Sequence, residues 1–196
     1  MVEYKVRIEG NTVTRDGEPM FAIHRRHSAK KVQGCYRELT PMLEYGRQAL
    51  EDNKKGVATE ALEQVVLAIV VTTAIVSIFL TRDFTPDYNS GLAHACFYAL
   101  TAYPVIEKEH LHGEVVGFGV LYALLVDGQQ EEFEKIYALN KELGLPVRIA
   151  DIGITEEQFF ETMDRIPQMS DIRHYPYAVT KEMLMQAYET IEQLPV

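Results

Sequence analysis

The sequence predicts a mainly α fold, a helical bundle preceded by a small N-terminal β-hairpin. Three observations carry this. Residues Tyr4 to Thr14 alternate apolar and polar side chains with the period of a strand. From about Ser28 onward the apolar positions recur with the period of a helix. The middle and end of the chain hold six or seven such helical stretches and no parallel strand between them. The division that follows is residues 1–25 as a hairpin appendage and residues 26–196 as an all-helical body. A chain of 196 residues buries roughly 70% of its unfolded surface and needs no disulfide to hold a core.

Each element has its own signal. Tyr4, Val6 and Ile8 alternate with Lys5, Arg7 and Glu9, and Glu9-Gly10-Asn11 supplies a turn. Thr12 to Thr14 suit a second strand ending at Asp16-Gly17. A lone hairpin is marginal in water, so it must pack on the body or pair with another chain. Val32, Cys35, Tyr36, Leu39 and Leu43 make a helical stripe, and Pro41 after Thr40 marks a kink or a fresh start capped by threonine. That stripe ends at Asn53-Lys54-Lys55-Gly56. Thr59-Glu60 opens a helix whose stretch from Val65 to Leu80 is almost wholly apolar, which suits the centre of a bundle. Thr85 to Ser90 reads as a loop. Helical stretches follow from Leu92 to Tyr103, Gly113 to Val126 and Glu131 to Leu143, the last closed by Gly144-Leu145-Pro146. A short helix begins at Thr155, and Val179-Thr180-Lys181-Glu182 opens a final one through Leu194.

Charge and composition exclude several roles. The 29 acidic against 19 basic side chains give a formal charge of -10, a field that repels phosphate backbones and anionic lipid. Arg25-Arg26-His27, Lys30-Lys31 and Lys54-Lys55 are short and lack interleaved aromatics, so they read as solvated faces. No nucleic acid and no membrane partner is expected. The Val65 to Leu80 run is too short to cross the hydrocarbon layer. Cys35 and Cys96 are the two cysteines and have no metal-type spacing. With an opening stretch unlike a signal peptide, they predict a cytoplasmic setting.

The residues that carry chemistry are histidines. His94 lies among small residues in Gly91-Leu92-Ala93-His94-Ala95, which leave room around an imidazole. His110-Leu111-His112-Gly113-Glu114 places two imidazoles at a helix entrance, with Glu114 able to hold a ring N–H. Neutral imidazole is a good ligand for zinc or divalent iron. The same pattern also fits a packed core histidine at 94 and helix-terminus histidines at 110 and 112.

The surroundings of these histidines match more than the histidines do. Gly91-Leu92-Ala93-His94-Ala95, Ala99-Leu100-Thr101 and His112-Gly113-Glu114-Val115-Val116-Gly117-Phe118-Gly119 are followed by Leu143-Gly144-Leu145-Pro146-Val147 and by His174-Tyr175-Pro176-Tyr177-Ala178-Val179-Thr180. Together with Met42-Leu43-Glu44-Tyr45-Gly46 upstream, this series resembles the C-terminal helical domain of the glycerol dehydrogenases, within the iron-containing alcohol dehydrogenase superfamily. The resemblance implies that 26–196 is a dehydrogenase-like C-terminal domain, a bundle of the dehydroquinate synthase-like and glycerol dehydrogenase kind. It implies a divalent metal, zinc or iron, held by two histidines and an aspartate, which polarises a substrate hydroxyl as hydride leaves for NAD. Matched motif to motif, the two metal ligands fall on His94 and His112, with His110 as the less favoured substitute for the second.

The departures from the family pattern are as specific. The family aspartate belongs to a Gly-Asp-x-Leu-Ala type helix start that this sequence does not contain, and Asp16, in the hairpin turn, does not take its role. Asp83, Asp87, a residue of a second chain or water would have to complete the metal shell. A family histidine near the nicotinamide is here Phe97 or Tyr98, and the segment before His94 is the bulkier Ile78 to Phe84. No glycine-rich pyrophosphate loop is present, and Gly117-x-Gly119 reads as helix packing. No further catalytic residue and no nucleotide-binding residue is therefore assigned. The expected function is a glycerol dehydrogenase-like metal-binding domain that does not bind NAD or transfer hydride alone. It would be active as an alcohol or polyol oxidoreductase only with a separate NAD-binding subunit. The alternative is a non-catalytic homo-oligomeric binding or structural protein derived from this domain. Hydrolysis by the histidine pair has no serine or cysteine nucleophile pattern to support it.

Overall fold

The computed structural model describes residues 6–9, 12–15, 18–22, 40–72, 90–173, 175 and 177–195. The chain divides into two units, Met1–Phe84 and Thr85–Val196. The stripe around Cys35, the apolar run beyond Thr72, the loop to Asn89, and His24, His27, Asp16, Asp83, Asp87 and His174 lie outside the described residues.

In the first unit β1 (Val6–Glu9), β2 (Thr12–Arg15) and β3 (Glu18–Ala22) form an antiparallel sheet in that order. Glu9 pairs with Thr12 and Val6 with Arg15, so the expected hairpin is present. The third strand was not expected, because Glu18-Pro19-Met20-Phe21-Ala22 has no clean alternation and contains a proline. β3 is an edge strand, and the register shifts between Val13 and Thr14, where Thr14 faces Pro19. Proline lacks a backbone N–H and is tolerated in a sheet at such an irregular edge.

The helices of the same unit are α1 (Thr40–Lys55) and α2 (Glu60–Leu67), the latter continuing as a π turn through Thr72. The helix described from Thr40 carries Pro41 in its first turn, where proline is tolerated. Lys54 and Lys55 sit in the last turn of α1, where cations oppose the negative helix end, and Gly56 follows with φ +67°. Asp52, buried near the end of α1, ties the helices together. It accepts hydrogen bonds from Gln48 Nε2 at 2.7 Å and Thr59 Oγ1 at 2.6 Å. Thr59 in turn caps α2 by accepting from the Leu62 N–H at 3.3 Å. No described helix is long and apolar enough to cross a membrane.

The second unit comprises α3 (Leu92–Leu100), α4 (Pro104–Glu109), α5 (His112–Val126), α6 (Gln130–Leu143), α7 (Glu156–Arg165) and α8 (Lys181–Glu192). Short 3₁₀ turns lie at Ile149–Ile152, Ile166–Gln168 and Ser170–Ile172. α5 is apolar nearly all round and runs at the centre, packed by α3, α6 and α8. Its Phe118 and Tyr122 stack with Phe159 of α7, whose ring meets Tyr188 of α8 at 5.8 Å between centres. All four rings are buried. α6 keeps a one-sided stripe of Phe133, Ile136 and Leu139 and stops at Gly144 with φ +72°, the left-handed position that closes a helix. α7 opens on a reciprocal cap between Thr155 and Gln158.

Candidate metal centre

The site depends first on how closely α3 and α5 approach. A Cβ added to Gly119 would lie 2.6 Å from the Ala93 carbonyl oxygen and 2.9 Å from its Cα, so only glycine allows this contact. Ala93 meets Gly119 while Phe97 meets His112, so the two helices pass in opposite directions. The crossing brings His94, in the first turn of α3, to His112, the first residue of α5. Their ring centres are 5.7 Å apart at an angle of 46°.

The pair has one sheltered and one open member. His94 is half-buried and His112 exposed. Phe97 presses edge-on to the His112 ring at 4.4 Å, and Tyr98 lies 6.5 Å from His94. Burial pushes the His94 pKa down, the neighbouring His112 adds to the effect, and Asp171 partly opposes it. His94 thus favours the neutral form, whose ring nitrogen offers a lone pair.

His110 takes a different place. Its Nδ1 lies 3.5 Å from Glu114 Oε2, and the same carboxylate accepts the Leu111 N–H at 3.1 Å, capping α5. Both side chains line a groove of about 510 Å³ with Tyr137, Lys141, Arg148 and Asp151. His112 is therefore the residue that meets His94, and Glu114 serves His110 and the helix start. Cys96, two residues from His94 on α3, is fully buried and its thiol is pushed up to about 12, which leaves it inert.

The donor chemistry suits a borderline cation. An ion about 2.0–2.1 Å from one nitrogen of each imidazole places the ring centres roughly 5–6 Å apart, the separation found here. Among the described residues no group of three or more histidine, cysteine or carboxylate side chains converges to hold a metal. One carboxylate absent from the sequence reading is Asp171, carried by the Ser170–Ile172 turn that packs on α3. Nothing in the sequence pattern links position 171 to position 94; only the packing does.

No protein-family model matches the chain. A glycerol dehydrogenase of Thermotoga maritima is 30% identical over 169 residues, 81% of this chain and 42% of the relative. A Pseudomonas putida glycerol dehydrogenase is 31% identical over 82% of this chain and 42% of its own length. The chain thus spans less than half the length of these curated relatives. Among solved structures, glycerol dehydrogenase from Schizosaccharomyces pombe superposes with a TM-score of 0.64 at 21% identity, over 93% of this chain and 44% of that one. A probable glycerol dehydrogenase from Sinorhizobium meliloti 1021 gives 0.65 at 19% identity, over 85% and 46%. At such identities the structures speak for the fold, and the sequence relatives for descent. With the motifs around His94 and His112 brought together on that fold, the chain is a partial-length homologue of the glycerol dehydrogenases, of the type of their C-terminal helical part.

Proposed function

We propose that this chain is the metal-binding helical domain of a glycerol dehydrogenase-like oxidoreductase acting on an alcohol or polyol, with His94 and His112 as two ligands of the metal. The observation that supports it most is the meeting of these two imidazoles across the α3–α5 crossing. Sheltered His94 offers its ring in the neutral form, and Phe97 limits the swing of the His112 ring. A bound zinc or ferrous ion supplies Lewis-acid polarisation of an alcohol oxygen, easing loss of its proton as hydride passes to NAD. The exposed Tyr98 ring, 6.5 Å from that of His94, offers the carbon skeleton an aromatic surface on the open side of the site.

Hydride transfer in this reading requires a nucleotide-binding part besides the described residues, which form no strand–glycine loop–helix unit for a pyrophosphate. A separate NAD-binding subunit in a cytoplasmic split enzyme would meet that requirement. The test is metal analysis of the purified chain and of His94→Ala after equilibration with zinc. About one ion per chain, lost on substitution, is expected for a site built on this pair. Negligible metal in both proteins would overturn the reading.

A further inference from the structure

A metal-bound imidazole ordinarily gives its second ring nitrogen to a carboxylate, a carbonyl or a water, and that hydrogen bond sets the plane of the ring. Among the described residues neither ring nitrogen of His112 has such a partner. Glu114, the acid nearest to it in sequence, commits Oε2 to the Leu111 N–H at 3.1 Å and lies 3.5 Å from His110 Nδ1.

What touches the His112 ring is α3. His94 and Phe97 are three residues apart, so they share a face of that helix. Their ring centres lie 5.7 Å and 4.4 Å from that of His112, and the Phe97 plane stands at 81° to the imidazole. Rings this close and nearly perpendicular are in edge-to-face contact, a favoured arrangement of aromatic pairs. Phe97 is half-buried and also meets the Tyr98 ring at 5.3 Å, whereas His112 is exposed. The two backbones are registered separately, two turns along α5, where Gly119 meets Ala93. Phe97 therefore governs the ring of His112 and not the position of its backbone. An exposed imidazole without a hydrogen bond turns about its side-chain torsions and loses that freedom when it takes up a ligand. A neighbour that already confines the ring lowers this cost.

We propose that Phe97 is a positioning residue for His112: its ring contact, in place of the usual hydrogen bond, holds the imidazole in the orientation that lets it share a cation with His94. The proposal rests on the reading of the pair as a metal site. Phe97 carries no donor atom for an ion and acts through His112 alone.

The experiment compares the unaltered chain with Phe97→Leu, Phe97→Tyr and His94→Ala. Three-bond NMR couplings about the Cα–Cβ bond of His112 are measured in the metal-free proteins, zinc affinity by calorimetric titration, and the metal-free melting temperature for each. The unaltered chain should show couplings of a single His112 rotamer. Phe97→Leu should average them and weaken zinc by about 3–10-fold, the size of one lost aromatic contact and one freed side chain. Its stoichiometry and melting temperature should stay as in the unaltered chain, and Phe97→Tyr should restore both the couplings and the affinity. Unchanged couplings or unchanged affinity in Phe97→Leu, with binding lost in His94→Ala, overturns the role of Phe97 and leaves the pair standing. A lowered melting temperature that accounts for the weakening, without rescue by tyrosine, also overturns it. No zinc binding by the unaltered chain overturns the pair and this proposal together.

Discussion

Cys96 and His94 share one helix, two residues apart, yet burial drives their protons in opposite directions. Desolvation disfavours the charged form of each group. It therefore keeps the thiol protonated, with its pKa up at about 12, and keeps the imidazole neutral by pushing its pKa down. A thiol in that state is a poor nucleophile. Native protein treated with iodoacetamide at mildly alkaline pH should leave the Cys96 peptide unmodified, and guanidinium should expose it fully; peptide mass mapping reads this separately from Cys35. Rapid native modification of Cys96 would contradict its packing. The sign of the pH effect follows from the same burial. The folded chain holds this proton up to about 12 while an unfolded one releases it near 9.0, so the contribution is complete below 9.0 and lost as pH rises through that window.

The α3–α5 crossing is the element on which the site stands, and Gly117 and Gly119 of α5 separate cleanly. A methyl group at Gly119 has nowhere to go, because the Ala93 backbone occupies the place, whereas at Gly117 nothing lies within 4 Å. Gly119→Ala should destabilise the protein by about 1–3 kcal/mol through overpacking and weaken metal binding as the rings move apart. Gly117→Ala should be neutral or stabilising by up to about 1 kcal/mol, since alanine is the better helix former. Urea denaturation of both variants checks the contrast, and equal effects would refute the close approach. The helices themselves were legible in the sequence. Their predicted limits at Leu92, Val126, Leu143 and Thr155 agree with the structure, because caps, prolines and glycine stops are local signals. The helix expected to run from Leu92 to Tyr103 ends at Leu100, and Pro104 then begins a helix of its own. Proline is at home in a first helical turn, so its presence marked a start as well as a stop.

At the scale of the whole molecule, homology covers most of the chain but under half of each relative. The described residues build helices and one antiparallel sheet, without the unit that grips a pyrophosphate. The chain alone, supplied with zinc, glycerol and NAD, is accordingly expected to produce no NADH, and calorimetric titration with NAD should show no heat of binding. Turnover by the chain alone would sink the separate-subunit reading.

Helical periodicity, helix ends, the excess of acidic charge and the motifs around His94 and His112 were all in the sequence, because each depends on neighbours within a few turns. The tertiary structure decided the rest. It chose His112 over His110 as the partner of His94, gave Glu114 to His110, and laid Asp171 against α3. Those outcomes depend on how closely two helices can pack and on which turn is pressed against them. Both are set by contacts between residues far apart in the chain, to which local pattern is blind.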